Sequence, residues 1–170
     1  MLCDPIVNEL LMDITNDEKT SVSIIECILT GVTSDLEIAE KTEIHLNTVR
    51  KVLYKLYDVG IATYKRTKDS KNNWESYNWK FEQNRVFDLI TKKYEKLSKE
   101  NEKSIEYEEE NMFFICKANG HRYEFEKASE INFKCAKCGE SLEYQDNSTI
   151  IADLLKEKAI YISMGKLKEK

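Results

Sequence analysis

Residues 33–60 read TSDLEIAEKTEIHLNTVRKVLYKLYDVG, and the reading of this stretch decides the fold. Ser34 with Glu37 three residues later has the form of a capping box, so a short helix is expected from Asp35 to about Lys41. A brief turn over 42–44 leads into a longer helix from about His45 to Val59, closed by Asp58 and Gly60. Leu46, Val49, Leu53 and Leu56 fall on one face of it at spacings of three and four. Two helices joined by a tight turn, the second longer and more basic, form a helix-turn-helix unit.

The flanks extend this unit. On the C-terminal side, IATYKRTKDSKNNWESYNWKF (61–81) reads as a hairpin. Residues 61–67 alternate apolar with polar, 68–73 are polar and turn-prone, and 74–81 alternate aromatic with polar. Helix, turn, helix and hairpin together predict a winged helix. On the N-terminal side, Asp4-Pro5 is a helix start, with an N-cap oxygen followed by proline at the first helical position. Val7, Leu10, Leu11 and Ile14 give that helix an apolar stripe, and a second helix is expected over 21–30, stopped at Gly31.

Residues 81–110 are rich in Glu and Lys, lack Gly and Pro, and should be helical. Phe87, Ile90, Tyr94 and Leu97 recur at heptad spacing for about two heptads, and the pattern fades at Asn101. A charged linker helix is the expectation. Residues 112–144 predict a small β unit with short strands at 113–115, 122–125, 132–134 and 142–144. A final amphipathic helix follows from Asn147 or Ser148, with Ile150, Ile151, Leu154 and Leu155 on one face and 160–164 as an extra strand or docking segment. The expected class is α+β, divided as 1–85 (winged helix), 86–111 (linker), 112–146 (zinc-ribbon-like module) and 147–170 (terminal helix and tail).

The β unit carries the clearest chemistry. Some 33 residues bury too little apolar surface to fold alone, and a structural metal is a usual remedy. Cys135-Ala-Lys-Cys138-Gly139 is a knuckle that sets two sulfurs on one ion, with glycine permitting the turn that follows. Cys116 stands 19 residues upstream, behind an apolar strand, but the position of its partner holds Asn119. Three readings stay open at this point. His121 supplies the fourth ligand, giving Cys116, His121, Cys135 and Cys138 around one zinc. Or the site is degenerate, metal-free or holding zinc weakly with water. Or a distant thiol, Cys3 or Cys27, completes it, though both read better as packed thiols beside helix faces. His45 reads as a cap or surface residue.

Composition limits the rest. The 170 residues are 41% hydrophobic, enough to build cores, and no apolar run is long enough to span a bilayer. The first residues lack the pattern of a signal peptide, so a soluble cytoplasmic protein is expected, with cysteines serving metal rather than disulfides. The net charge of -5 conceals an asymmetry: residues 1–49 carry ten acids and two bases, residues 50–80 eight bases and three acids. A local basic face can therefore meet phosphate or an acidic partner. No phosphate loop, Ser/His/Asp set or supported carboxylate pair is present, so an enzyme is not expected.

DLEIAEKTEIHLNTVRKVLYKLYDVGIATYKR (35–66) and WESYNWKF (74–81) resemble the winged-helix domain of archaeal transcription factor E, the counterpart of the alpha subunit of eukaryotic TFIIE. The order of winged helix, charged helix, ribbon and terminal helix matches as well. The resemblance implies a general transcription initiation factor without enzymatic activity, which binds RNA polymerase at its clamp and stalk. It implies work with the TATA-binding protein and promoter complex, opening promoter DNA near the non-template strand and stabilising the open complex. Neither a membrane nor a small-molecule substrate is implied. The family's ribbon has two C-x-x-C knuckles, and this chain departs from the first at Asn119.

The candidate contact residues are Arg50, Lys51 and Lys55 on the second helix, and Lys65, Arg66, Lys68, Lys71 and Trp74 on the wing. Basic residues interleaved with aromatics suit single-stranded DNA or a protein hot spot. The bland alternatives are a solvated helix face and aromatics that simply seal the hairpin. The competing function is a sequence-specific winged-helix regulator with a metal-responsive ribbon, against which stands the lack of a clear dimerisation segment.

Overall fold

Asp4 accepts a hydrogen bond from the Ile6 amide and starts helix α1 (Pro5–Thr15) in the computed structural model of the chain. The structure describes residues 2, 4–68 and 75–166. They divide into two compact units, Met1–Ile90 and Thr91–Lys170. Among the described residues the elements are helices and small antiparallel sheets, an α+β chain, and no helix is long and apolar enough to cross a membrane.

In the first unit α1 ends at Asn16, whose left-handed φ of 58° turns the chain toward Asp17. Asp17 caps the Thr20 amide, so α2 (Glu18–Leu29) begins three residues before the predicted start: a capping aspartate outweighs the polar composition of 18–20. α3 (Asp35–Thr42) and α4 (Leu46–Asp58) form the helix-turn-helix pair, with His45 capping α4 by accepting from the Asn47 amide. The capping box does not form, because Ser34 makes no side-chain cap. Its backbone is instead bridged to Asn78, while the Thr33 carbonyl accepts from the Trp79 amide. The entry to α3 is thus held by the hairpin, with the Asp35 carboxylate accepting from the Leu36 amide.

The hairpin pairs β1 (Ala62–Lys68) with β2 (Glu75–Phe81) antiparallel, in a register that sets Tyr64 opposite Trp79. Leu11, Ile24, Ile25, Ile38, Val49, Leu53, Leu56 and Ile61 are fully buried and make the core. Val52 joins the α4 face, whereas the predicted Leu46 is only half-buried. Cys27 is a packed thiol in this core and Trp79 seals the hairpin, while Cys3 lies outside the described residues. Val86 and Ile90, at the start of α5 (Gln83–Glu110), are buried in the same unit.

In the second unit the burial of α5 does not fade at Asn101. Tyr94, Asn101, Ile105 and Glu108 are all buried. The reason is α7 (Ser148–Gly165), which runs antiparallel to it. Thr91 donates to the Gly165 carbonyl, Tyr94 meets Tyr161, Asn101 meets Glu157, Lys158 pairs with Glu102, and Asn147 donates to the Glu108 carbonyl. α7 passes straight through 160–164, so the extra strand expected there is absent. Its inward side carries Ile151, Leu154 and Tyr161, while Leu155, predicted on the same face, is half exposed.

The sheet of this unit has the order β4–β3–β5, with β3 (Phe113–Ile115) between β4 (Arg122–Glu124) and β5 (Glu143–Gln145). A short helix, α6 (Phe125–Glu130), replaces the end of the predicted second strand. The strand predicted at 132–134 does not form. Asn132 and Phe133 both take φ of 52°, a left-handed pair that turns the chain into the second cysteine loop and leaves only an isolated bridge from Lys134 to Ser141.

Candidate metal centre and aromatic face

Two loops of the second unit are built alike. In the first, Gly120 donates to the Cys116 carbonyl (2.7 Å) and the Cys116 amide donates to the His121 carbonyl (2.9 Å). In the second, Gly139 donates to the Cys135 carbonyl (2.8 Å) and the Cys135 amide donates to the Glu140 carbonyl (2.7 Å). Gly120 and Gly139 both take the left-handed φ that closes such a turn, 70° and 79°. The correspondence is position by position. Cys116 matches Cys135, Asn119 matches Cys138, and His121 matches Glu140.

These loops bring Cys116, Cys135 and Cys138 together, with their sulfurs all within 4.8 Å of one another. Cys116 and Cys138 stand 3.4 Å apart. Thiolates bound to one tetrahedral zinc lie roughly 3.8 Å apart, given Zn–S bonds near 2.3 Å. Cys116 and Cys135 are buried, together with Ala128 and Leu142, under Phe114, Tyr123, Ile131 and Phe133. The Tyr123 hydroxyl lies 3.4 Å from the Cys135 sulfur. That contact, reinforced by the amides of Lys137 and Cys138 against the opposing effect of burial, brings the Cys135 thiol down to about 5. It is then the thiolate that a metal takes. At Cys138 a hydrogen bond donated by the Glu140 amide acts to lower the thiol, but the neighbouring Cys116 thiol and burial outweigh it, so that group is raised. Soft, clustered thiols on two matched loops fit a zinc ion. Bound there, it would tie the loops together and supply folding energy, with no reaction to perform.

His121 is not brought into the cysteine cluster. Its Nδ1 bonds to the Asn119 Oδ1 at 2.5 Å, and it is Asn119 that faces Cys135, with Oδ1 at 3.8 Å and Nδ2 at 3.9 Å from the sulfur. Cys27 belongs to the first unit's core. The Tyr123 contact had no sequence signal, since it joins residues twelve apart through the fold.

The first unit presents an aromatic face. Tyr54 and Tyr57 of α4 meet Trp79 edge-on at 5.8 and 6.5 Å, Tyr57 meets Tyr64 at 5.1 Å, and Tyr64 meets Tyr77 at 5.3 Å. Tyr54, Tyr57 and Tyr64 remain 47%, 44% and 37% exposed. The signal was present as the i, i+3 pair on α4 and the alternation along the hairpin. Of the candidate contact residues, Arg50, Lys51, Lys65 and Arg66 are exposed. Arg50 is engaged by Asp35 at 2.6 Å, and Lys55 donates to the Thr15 carbonyl at 2.7 Å, closing the end of α1. The side chain of Lys68, with Lys71 and Trp74, lies outside what the structure describes.

Comparison with known proteins places the chain. The TFIIE alpha subunit family matches residues 5–110. Transcription factor E of Methanosphaera stadtmanae is 46% identical over 155 residues, 91% of this chain and 86% of that one. Transcription factor E of Methanobrevibacter smithii is 46% identical over 154 residues, 91% and 88% of the two chains. That of Methanocaldococcus jannaschii is 41% identical over 155 residues, 91% and 90%. With a family match over more than half its length and relatives this similar along nearly all of it, the chain belongs to the transcription factor E family of transcription initiation factors, which are not enzymes.

Proposed function

We propose that this chain binds archaeal RNA polymerase at its clamp and stalk, in company with the TATA-binding protein and promoter complex, and helps promoter DNA open and stay open. In this reading the first unit is a winged helix. The Thr33–Ser34 segment, held against Asn78 and Trp79, acts as a third strand beside the wing. The second unit carries a zinc ribbon holding one ion on Cys116, Cys135 and Cys138, and the whole acts in the cytoplasm. The observation that carries the proposal is the aromatic face. Tyr54, Tyr57 and Tyr64 stay accessible while packed on one another, with Lys51 and Lys65 exposed on the same two elements. Rigid amphipathic rings beside cations suit a protein hot spot or the unstacked bases of a non-template strand.

The same geometry disfavours the sequence-specific regulator. Major-groove reading needs several free polar side chains on the inserted helix. On α4 the tyrosines lean on the hairpin, Arg50 pairs with Asp35 and Lys55 with the Thr15 carbonyl, which leaves Asn47, Thr48 and Lys51 as the exposed polar side chains of its first half. The test is direct. Full-length protein should associate with archaeal polymerase and raise open-complex yield on a weak promoter, measured by permanganate reactivity of unpaired thymines. The double substitution Tyr57→Ala and Tyr64→Ala should remove both effects while the fold persists. If the unsubstituted protein does neither, the proposal fails; tight, selective binding to one duplex would favour the regulator instead.

A further inference from the structure

We infer that the fourth donor to the metal is the side-chain oxygen of Asn119, held from outside by His121. This rests on the zinc reading above and concerns only which group completes the site. Three observations converge. First, the matched backbone bonds of the two loops put Asn119 at the position that Cys138 occupies in the other loop, the place of a ligand. Second, the side chains cross: Cys116 faces Cys138 at 3.4 Å, and Asn119 faces Cys135 at 3.8 Å, both near the spacing of ligands on one tetrahedral ion. Third, His121 sits two positions further on, where the other loop has Glu140, and its Nδ1 is spent on Asn119 Oδ1.

The chemistry of the amide fits. Oδ1 has two lone pairs, one for a cation and one for the His121 N–H, whereas the NH2 group offers none. The His121 bond fixes which way the carboxamide points, as the partners of metal ligands ordinarily do. The result is three thiolates and one neutral oxygen around the ion. Such a set carries one less negative charge than four thiolates and a harder, weaker fourth donor, so the ion is held less tightly and exchanges more readily. On this assignment the departure from the two-knuckle pattern is a substituted ligand, and the site stays closed to water.

Cobalt(II) is the probe, added to the reduced full-length chain and followed by its visible ligand-field bands. The unsubstituted protein should take one cobalt per chain. Asn119→Cys should bind it more tightly and move the bands to longer wavelength, because thiolate is the weaker-field donor. Asn119→Ala should bind about a hundredfold more weakly and His121→Ala about tenfold, the first losing a ligand and the second only its support. Asn119→Ala should also gain an open position, so that added imidazole shifts its bands at concentrations that leave the unsubstituted protein unchanged. Asn119→Ala identical to the unsubstituted protein would overturn the assignment. So would an equal imidazole response in both, which means water already fills the position. Loss of the ion in His121→Ala, with its retention in Asn119→Ala, would give the ligand to His121. Those three results leave the zinc reading intact. A chain that takes no cobalt, while Asn119→Cys takes one, overturns both.

Discussion

Single side chains fix the joints of this molecule. Gly60 ends α4 with a φ of 79°, and a Cβ there would stand 3.2 Å from the Arg85 Nε. Arg85 in turn donates to the Val59 carbonyl and ties α5 to that turn. Gly60→Ala should lower stability by about 1–2 kcal/mol, the cost of a left-handed conformation for a residue with a Cβ. A lowered thermal midpoint of the tryptophan signal checks this, and a neutral result would mean the turn refolds. At the other end, Arg122 forms a two-pronged pair with Glu108 (2.6 and 2.7 Å) and lies over the Phe113 ring at 3.5 Å. The Arg122 guanidinium holds the Glu108 carboxyl below its ordinary value of 4.5, and Asn147 adds to the effect while burial opposes it. A carboxyl depressed by folding contributes stability that is present above its unfolded value and lost as pH falls through the folded one. Glu108→Gln should therefore destabilise the second unit at neutral pH, and its difference from the unsubstituted protein should shrink as pH drops below about 4.5. Denaturant titrations at pH 7 and pH 3.5 would show this, and a gap that widens on acidification would refute it.

Elements differ in how firmly they are held. α4 buries Val49, Val52, Leu53 and Leu56, so its opening is tied to loss of the whole core. α7 has no fully buried residue and meets α5 through two tyrosine rings, polar bonds and a cavity of about 360 Å³ lined by Tyr94, Tyr161 and Ile162. Amides of α7 should exchange with solvent by local opening, well before those of α4, which should approach the global limit. Mass-spectrometric hydrogen exchange on peptides from the two helices measures this, and equal protection would show that α7 is cemented by more than these contacts. The same contrast explains why α4 was legible in advance and the packing of α7 was not. The stripe of α4 repeats at the helical period. The inward side of α7 mixes Ile151, Leu154, Lys158 and Tyr161, a pattern that makes sense only with α5 alongside.

At the scale of the molecule the two units rest on different kinds of stabilisation. The first has a core of aliphatic side chains, whereas the second closes a small cluster around Cys116 and Cys135. Both tryptophans, Trp74 and Trp79, belong to the first unit's sequence. With zinc on the proposed site, its removal by a chelator should loosen the second unit, seen as lost tyrosine near-ultraviolet dichroism, while tryptophan fluorescence stays native. Simultaneous loss of both signals would show that the first unit depends on the metal. The sequence by itself determined what local chemistry can determine: the two helices and turn over 33–60, the hairpin from its alternation, the second cysteine loop from C-x-x-C and glycine, and the family. Only the tertiary structure decided that Ser34 serves the hairpin instead of capping its helix, and that Asp35 turns to Arg50. It alone decided that 132–133 bends left-handed, that α7 lies back along α5, and that Asn119 faces Cys135. The physical reason is range. Periodicity, caps and knuckles express interactions between residues a few positions apart, which leave a pattern in the chain. The others are set by partners tens of residues away, whose proximity comes into being only when the chain has folded.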